Sequence, residues 1–235
     1  MSSNIIVALP AYNEAKYIAG IVSTIAEYAG TVFVLDDGST DGTAWRATNA
    51  GATVSQHVHN KGYGATIQDI LSWARYSKFD VLVIMDADGQ HFPEDIPKLV
   101  RAVGEGYDLV IGCRAGKDVP FYRRIGGTTL SVFTYLLSGF WVRDSQCGFR
   151  AYSPRAVGLI RPRENGMAIS SEIVALAVWA GLRVKEVPIS IRYNRDSSTH
   201  NPIKQGFYTL WRIVVMMIAR MIARRRLRLG DTYKA

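Results

Sequence analysis

The sequence predicts an α/β protein, a mostly parallel sheet with helices on both faces, and three observations carry the prediction. Apolar segments of strand length alternate with amphipathic segments of helix length through residues 4–112. Three of the apolar segments run directly into polar turns, two of them acidic. Gly30 and Gly51 stand where the first two helices should stop. Such alternation, without runs of consecutive hairpins, argues for βα units and a sheet covered on both sides.

The elements follow in order. The run NIIVALP predicts a strand over 4–9, and Asn13 before Glu14 opens a helix over 14–29. TVFVL predicts a strand over 31–35, followed by a helix over 42–50, a strand over 52–57 and a helix over 62–77. VLVIM predicts a buried strand over 80–85 because five consecutive apolar residues cannot face water on either side of a sheet. Pro93, tolerated in a first turn, starts a helix over 93–104, and a further strand spans 108–112. Residues 125–142 carry no charge, which is near the lower limit of about 18 residues for a membrane span. Gly126, Gly127, Gly139 and several hydroxyl side chains interrupt that stretch, so a buried or bilayer-facing helix is expected there instead. KEVPISI reads as a strand, and the chain ends in a helix over about 203–226.

Composition bounds the rest. The chain has 235 residues, 48% of them hydrophobic, enough for one large domain with a short appendage. The N-terminus lacks a basic region followed by an apolar segment, and Cys113 and Cys147 show no metal-ligand spacing; a reduced, cytoplasmic chain is expected. The net charge of +8 is concentrated near the C-terminus at Arg220, Arg224, Arg225, Arg226 and Arg228. No nucleic-acid-binding signature accompanies that charge, so no nucleic-acid partner is expected. The apolar run from Ile213 to Ala219 is too short to span a bilayer, but joined to the arginines it suits an interfacial helix on an anionic membrane surface. The competing reading is a helix packed on the catalytic domain or on a second subunit.

The chemistry concentrates in the acidic turns. DADGQH, at Asp86 to His91, places two carboxylates at a strand end, with Gly89 permitting a tight turn. Two hard carboxylates suit Mg²⁺ or Mn²⁺, especially when a diphosphate supplies further oxygens. Aspartate is also an ordinary strand terminator, and that bland reading holds for either turn alone. DDGSTDG, at Asp36 to Gly42, repeats the pattern. In a parallel sheet both turns lie on one edge, where their mutual repulsion calls for a cation or a nucleotide.

LPAYNEA, LDDGSTDGT, NKGYGAT, DADGQHFPEDI and DSQCGFRAYS, in this order, resemble family 2 glycosyltransferases with the GT-A fold, and among them the dolichyl- or polyprenyl-phosphate hexose synthases. The resemblance runs from about Asn4 to about Tyr193. It implies a catalytic domain over 1–200 and a basic amphipathic C-terminal helix over 201–235. It implies a nucleotide-diphosphate sugar donor (UDP or GDP) and a dolichyl or polyprenyl phosphate acceptor. It further implies an Mg²⁺ or Mn²⁺ cofactor, and a peripheral position at the cytoplasmic membrane face.

The same resemblance implies residue roles. Pro10, Tyr12, Glu14 and Asp37 would hold the base and ribose, with Lys61 in the glycine-flanked loop meeting a phosphate or ribose. Asp86 and Asp88 would hold the metal, Asp88 more directly, with Gln90 orienting the metal shell or the sugar. Arginine clusters near a metal-diphosphate site suit an anionic acceptor, because guanidinium grips phosphate in a fork. Arg114, Arg150 and Arg192 are the candidates, with Arg123 and Arg124 nearby. The expected reaction is one inverting displacement by a lipid phosphate oxygen, already largely ionised, so little general-base help is needed.

Asp144 matches the position where hydroxyl-using relatives place a base; here it is read as binding a sugar hydroxyl or positioning Arg150. The alternative is a family 2 enzyme acting on a saccharide or other hydroxyl, with Asp144 as the base. A non-catalytic nucleotide-sugar or membrane-binding protein is disfavoured by the retained carboxylates and arginines. His57, His59, His91 and His200 show no metal spacing, and His57 and His59 read as structural. The polar loop Ser197 to Pro202 is expected to close over the donor, and Glu172 to face the sugar or favour a helix start.

Overall fold

The computed structural model of the chain describes residues 4–114, 121–192 and 202–232, with backbone alone at 121–125, 202–204 and 223–232. The expectation for the loop 197–202 falls almost wholly outside the described residues.

One seven-stranded sheet organises the chain, in the order β3-β2-β1-β4-β6-β5-β7. Its strands are β1 (Ile5–Ala11), β2 (Thr31–Asp36), β3 (Thr53–Gln56), β4 (Val81–Ile84), β5 (Leu109–Arg114), β6 (Arg150–Tyr152) and β7 (Val184–Ile189). All pairings are parallel except those of β6, which runs antiparallel between β4 and β5. The ends of β1, β2, β4, β5 and β7 therefore share one edge. This is the α/β, GT-A-type architecture, mostly parallel as expected.

The helices are α1 (Ile18–Ile25), α2 (Thr43–Asn49), α3 (Tyr63–Ala74), α4 (Ile96–Gly104), α5 (Phe121–Ser138), α6 (Pro154–Leu159), α7 (Ile169–Trp179) and α8 (Pro202–Thr232). The connection through α3 runs back across β2 and β1, opposite in direction to those through α1 and α2. Right-handed crossovers then place α3 on the other face. The central strands explain their own burial: Val7, Leu9, Val34, Leu82, Val83, Leu109 and Val110 are fully sequestered. Trp73 of α3 stacks on Phe33 of β2, ring centroids 3.9 Å apart. Each fully buried Leu or Ile contributes about 1.5–3 kcal/mol against exposure.

One boundary differs from expectation for a reason that bears on the site. The helix expected over 14–29 begins only at Ile18. The preceding turn is tied instead to the acidic loop after β2: Asn13 N–H donates to Ser39 Oγ, Glu14 N–H to Thr43 Oγ1, and Ala15 N–H to Asp41. Asn13 takes a left-handed conformation, φ 57°, which asparagine tolerates. The uncharged stretch forms α5, and no helix among the described residues is long and apolar enough to cross a membrane.

α8 does not stand apart over its first half. Ile213 is buried in a small cluster with Leu137 of α5 and Ala168 and Ala175 beside and within α7. Arg212 forms a two-pronged ion pair with Glu164, at 2.6 and 3.0 Å. The Arg220 guanidinium lies 3.2 Å from the centre of the Trp179 ring. Both arginines thus turn toward α7 and the loop before it. The opposite face of α8 is apolar and exposed at Phe207, Trp211, Ile218 and Ile222, beside exposed Tyr135 and Leu136 of α5.

Candidate active site

The shared strand edge opens into a cleft of about 460 Å³. One wall comes from the end of β1 and its turn, Pro10, Ala11, Tyr12 and Glu14. The floor carries Asp37, Asp86 and Asp88, with Gly62, Tyr63 and Thr66 from the start of α3. A larger recess, about 510 Å³ around Arg75, Lys78 and Arg161, lies near the opposite ends of β1 and β4, at Asn4 and Asp80. It holds none of the sheet-edge carboxylates.

The two aspartates after β2 have different work. Asp36 is fully buried and accepts from Ser39 and from Gln56 Nε2, so it holds its own loop. Asp37 lines the cleft. Its carboxylate accepts from the backbone N–H groups of Lys61 and Gly62, each at 2.8 Å, which closes the glycine-flanked loop over the end of β2. His57 Nδ1 lies 2.7 Å from Asp37 and Nε2 lies 3.0 Å from Asp69. A neutral ring could donate to only one of them. His57 is therefore the prop that aims Asp37, a more specific task than the structural one expected from sequence.

Asp86 and Asp88 lie side by side past β4. Asp86 accepts from the Tyr63 hydroxyl at 3.1 Å and faces His91 Nε2 at 3.7 Å. Burial pushes the Asp86 carboxyl up, but His91 and the Tyr63 hydroxyl outweigh it, and it ionises below the ordinary carboxylate range. Asp88 is pushed up, by burial first and then by the Asp86 charge. Gln90 donates to Asp88 through its backbone at 3.0 Å and its side chain at 2.7 Å. The backbone of Gly148 packs directly on the Asp86 carboxylate, leaving no room for a Cβ. Glu14 feels the same field: burial, then Asp88, Asp41 and Asp86, raise its pKa to about 7.

A divalent cation fits this donor set. Four carboxyl groups, Glu14, Asp37, Asp86 and Asp88, line the cleft, and burial together with their mutual repulsion raises the pKa of Glu14 and of Asp88, a repulsion that a cation would relieve. Among the described residues no three acidic, histidine or cysteine side chains form a closed metal cage. Asp86 and Asp88 would thus be the protein ligands, with diphosphate oxygens and water completing the shell.

The arginines and the lysine divide differently from expectation. Arg114, at the end of β5, grips Asp144 through Nε and through Nη2, the latter at 2.6 Å. Asp144 is thereby charge-paired, and its backbone N–H donates to Glu186 at 3.0 Å. Arg192 is exposed, with its guanidinium over the Phe92 ring and its backbone N–H on Gln90 O at 2.8 Å.

Arg150 corrects the sequence reading. It is only 3% exposed and donates to the backbone carbonyls of Ser145, Cys147 and Ser170. Its fork is consumed in folding the segment 145–148 against Asp86, so it is not presented to an acceptor phosphate. Lys61 is a second correction. Its ammonium sits 3.2 Å from Asp69, and only its backbone serves Asp37. Glu172 likewise caps the backbone N–H groups of Arg163 and Glu164 rather than facing a sugar. The side chains of Arg123 and Arg124 lie outside the described residues.

The remaining wall went unread in the sequence. Asn165, Gly166 and Met167, with Gln205, Tyr208 and Thr209 of α8, face the β1 turn across the cleft. The segment 163–166 is held against α3: Gly64 N–H donates to Asn165 O at 2.9 Å, and Gln68 Nε2 donates to Glu164 O and Asn165 Oδ1. A Cβ at Gly64 would collide with that backbone. The cysteines take no part. Cys113 is pushed up to about 11, by burial and then by Glu186 and Asp144, which leaves no thiolate near neutral pH.

Comparison with known proteins agrees with this geometry. Residues 6–156 match the profile of Glycosyl transferase family 2. The chain is 29% identical over 241 residues to the UDP-N-acetylglucosamine–dolichyl-phosphate N-acetylglucosaminyltransferase of Methanococcus voltae, covering 91% of this chain and 96% of that one. It is 31% identical over 201 residues to the polyprenol monophosphomannose synthase of Mycolicibacterium smegmatis, covering 79% and 76%. Among solved structures, the glucosyl-3-phosphoglycerate synthase of Mycobacterium tuberculosis with Mg²⁺ and uridine diphosphate superposes with a TM-score of 0.71 at 23% identity, over 93% of this chain and 79% of that one. At that identity the likeness speaks to the fold.

Proposed function

The chain belongs to glycosyl transferase family 2, and from that premise we propose that it transfers a hexose from a UDP- or GDP-sugar to a polyprenyl or dolichyl phosphate, with inversion at the anomeric carbon. The observation that carries the reading is the pair Asp86 and Asp88, with Asp37, on the floor of a cleft whose near wall is the Pro10–Glu14 turn. The named acceptors of the Methanococcus and Mycolicibacterium relatives support a polyprenyl phosphate.

The residues supply binding and orientation more than proton transfer. Tyr12 offers a ring face to the base, and Asp37, held by His57 and the Lys61–Gly62 backbone, accepts a hydrogen bond from base or ribose. Asp86 and Asp88 would hold Mg²⁺ or Mn²⁺, whose chemistry when bound is Lewis-acid stabilisation of the departing nucleoside diphosphate. The acceptor phosphate approaches from the side of β5 and β7, where the exposed Arg192 places positive charge. One of its oxygens attacks the anomeric carbon as the bond to the diphosphate oxygen breaks. The sugar configuration inverts, and the nucleoside diphosphate carries away the electron pair. No proton need be abstracted, because a phosphate monoester is largely dianionic above its second pKa of about 6.

The exposed apolar face of α8 and α5, with the arginines beyond it, supports peripheral seating on an anionic membrane. The test is an acceptor comparison: polyprenyl phosphate, the unphosphorylated polyprenol, and free saccharides, each with the same donor. Transfer confined to the phosphate supports the reading. Transfer confined to saccharide hydroxyls would replace it with the hydroxyl-acceptor reading.

A further inference from the structure

One face of α8 divides along its length into two stretches with separate work. Gln205, Tyr208, Thr209 and Arg212 recur at helical spacing on one side, followed by Ile213, Met216, Met217 and Arg220. The first three line the cleft, and the rest meet the catalytic domain through Glu164, the Leu137–Ala168–Ala175 cluster and Trp179. The cleft-lining turn lies outside residues 6–156, the span of the family match.

We propose that the Glu164–Arg212 ion pair is a positioning latch for the nucleoside diphosphate, seating the first turns of α8 as the far wall of its site. The inference deepens the proposed function and rests on that reading. Glu164 sits at the hub of the argument. Its carboxylate, almost wholly buried, holds Arg212 bidentately, while its backbone carbonyl accepts from Gln68 and its backbone N–H donates to the Glu172 carboxylate. The adjacent residues Asn165, Gly166 and Met167 line the cleft. One residue thus fixes the loop and the helix that together face Pro10, Tyr12 and Asp37. Arg212 is the latch point one turn from Tyr208 and Thr209, whereas Ile213 and Arg220 anchor the helix farther along. A bidentate guanidinium–carboxylate contact fixes orientation as well as distance, which a lysine would not reproduce. The nucleoside end is the end affected, because the loop that Tyr208 meets at Gly166 packs through the Asn165 backbone on Gly62 and Gly64, and Gly62 N–H is held by Asp37.

The experiment measures affinity for UDP and for GDP with Mg²⁺ by calorimetry in the full chain, with thermal midpoints and donor and acceptor KM beside it. Arg212→Gln should weaken binding of the preferred nucleotide about tenfold, within the range of coupled neighbours. Donor KM should rise in parallel, with acceptor KM unchanged. Arg212→Lys should recover only part of the loss. Should Arg212→Gln leave the buried Glu164 charge unpaired and unfold the chain, the neutral pair Glu164→Gln with Arg212→Gln, and the surface truncation Tyr208→Ala, test the same wall. A folded variant set with wild-type nucleotide affinity, or equal rises in donor and acceptor KM, overturns the latch. Wild-type protein that binds neither nucleotide removes the proposed function and the latch with it.

Discussion

Arg114 lies across the Asp144 carboxylate with Nη2 2.6 Å from Oδ1 and Nε on Oδ2, so the acid that the sequence offered as a base for a hydroxyl acceptor is an engaged counter-ion. A base needs a free lone pair aimed at its proton. Asp144→Asn should therefore slow transfer to a polyprenyl phosphate less than Asp88→Asn does. Profiles of kcat against pH for wild type and both variants check it; loss of the acidic limb in Asp144→Asn would return Asp144 to the role of base.

Asp88→Asn should cost about a hundredfold or more in kcat/KM, the size expected when Lewis-acid stabilisation worth several kcal/mol is withdrawn. Among the described residues its side chain is hydrogen-bonded by Gln90 alone, so the thermal midpoint should barely move. Steady-state rates and a melting curve on the same preparation separate chemistry from folding.

Glu14 links the cleft to pH. Its pKa of about 7 when folded lies above the ordinary 4.5, so the folded chain binds the extra proton between those values. By linkage this stabilising contribution is complete below 4.5 and is lost as pH rises through about 7. Burial is the larger cause of that shift, and a cation on Asp86 and Asp88 offsets the part due to their charges, so Mg²⁺ with nucleotide should release protons as pH approaches about 7 and bind more tightly as pH rises there. Calorimetry in buffers of different ionisation enthalpy counts the protons. Glu14→Gln should abolish the release.

Gly148→Ala should lower activity at least about tenfold, since a Cβ there collides with the Asp86 carboxylate and small displacements at a reacting centre are costly. Ile213→Ala should act in the opposite manner, lowering stability by about 2–5 kcal/mol through a cavity under α8. Denaturant melts and initial rates on both variants distinguish them.

The strands were legible because β1, β2, β4 and β5 are continuous apolar runs that admit few alternatives. β6 was not, since three residues, Arg150–Tyr152, are too few to show a period. The carboxylates on the sheet edge were legible from their place after buried strands. Arg150 and Lys61 were misread because a motif shows which residue is present but not which way its side chain turns; one is spent on backbone carbonyls and the other on Asp69. The α8 wall escaped because amphipathicity marks a buried stripe without saying what covers it. Its partners, Glu164 to Met167, lie about forty residues earlier in an unpatterned loop.

The most direct measurement is transfer from a panel of radiolabelled UDP- and GDP-sugars to dolichyl phosphate, with Mg²⁺ or Mn²⁺ and again with chelator. The account predicts label entering the lipid phase from one donor, abolished by chelator and by Asp88→Asn. Nucleotide binding without lipid-phase label from any donor would contradict it.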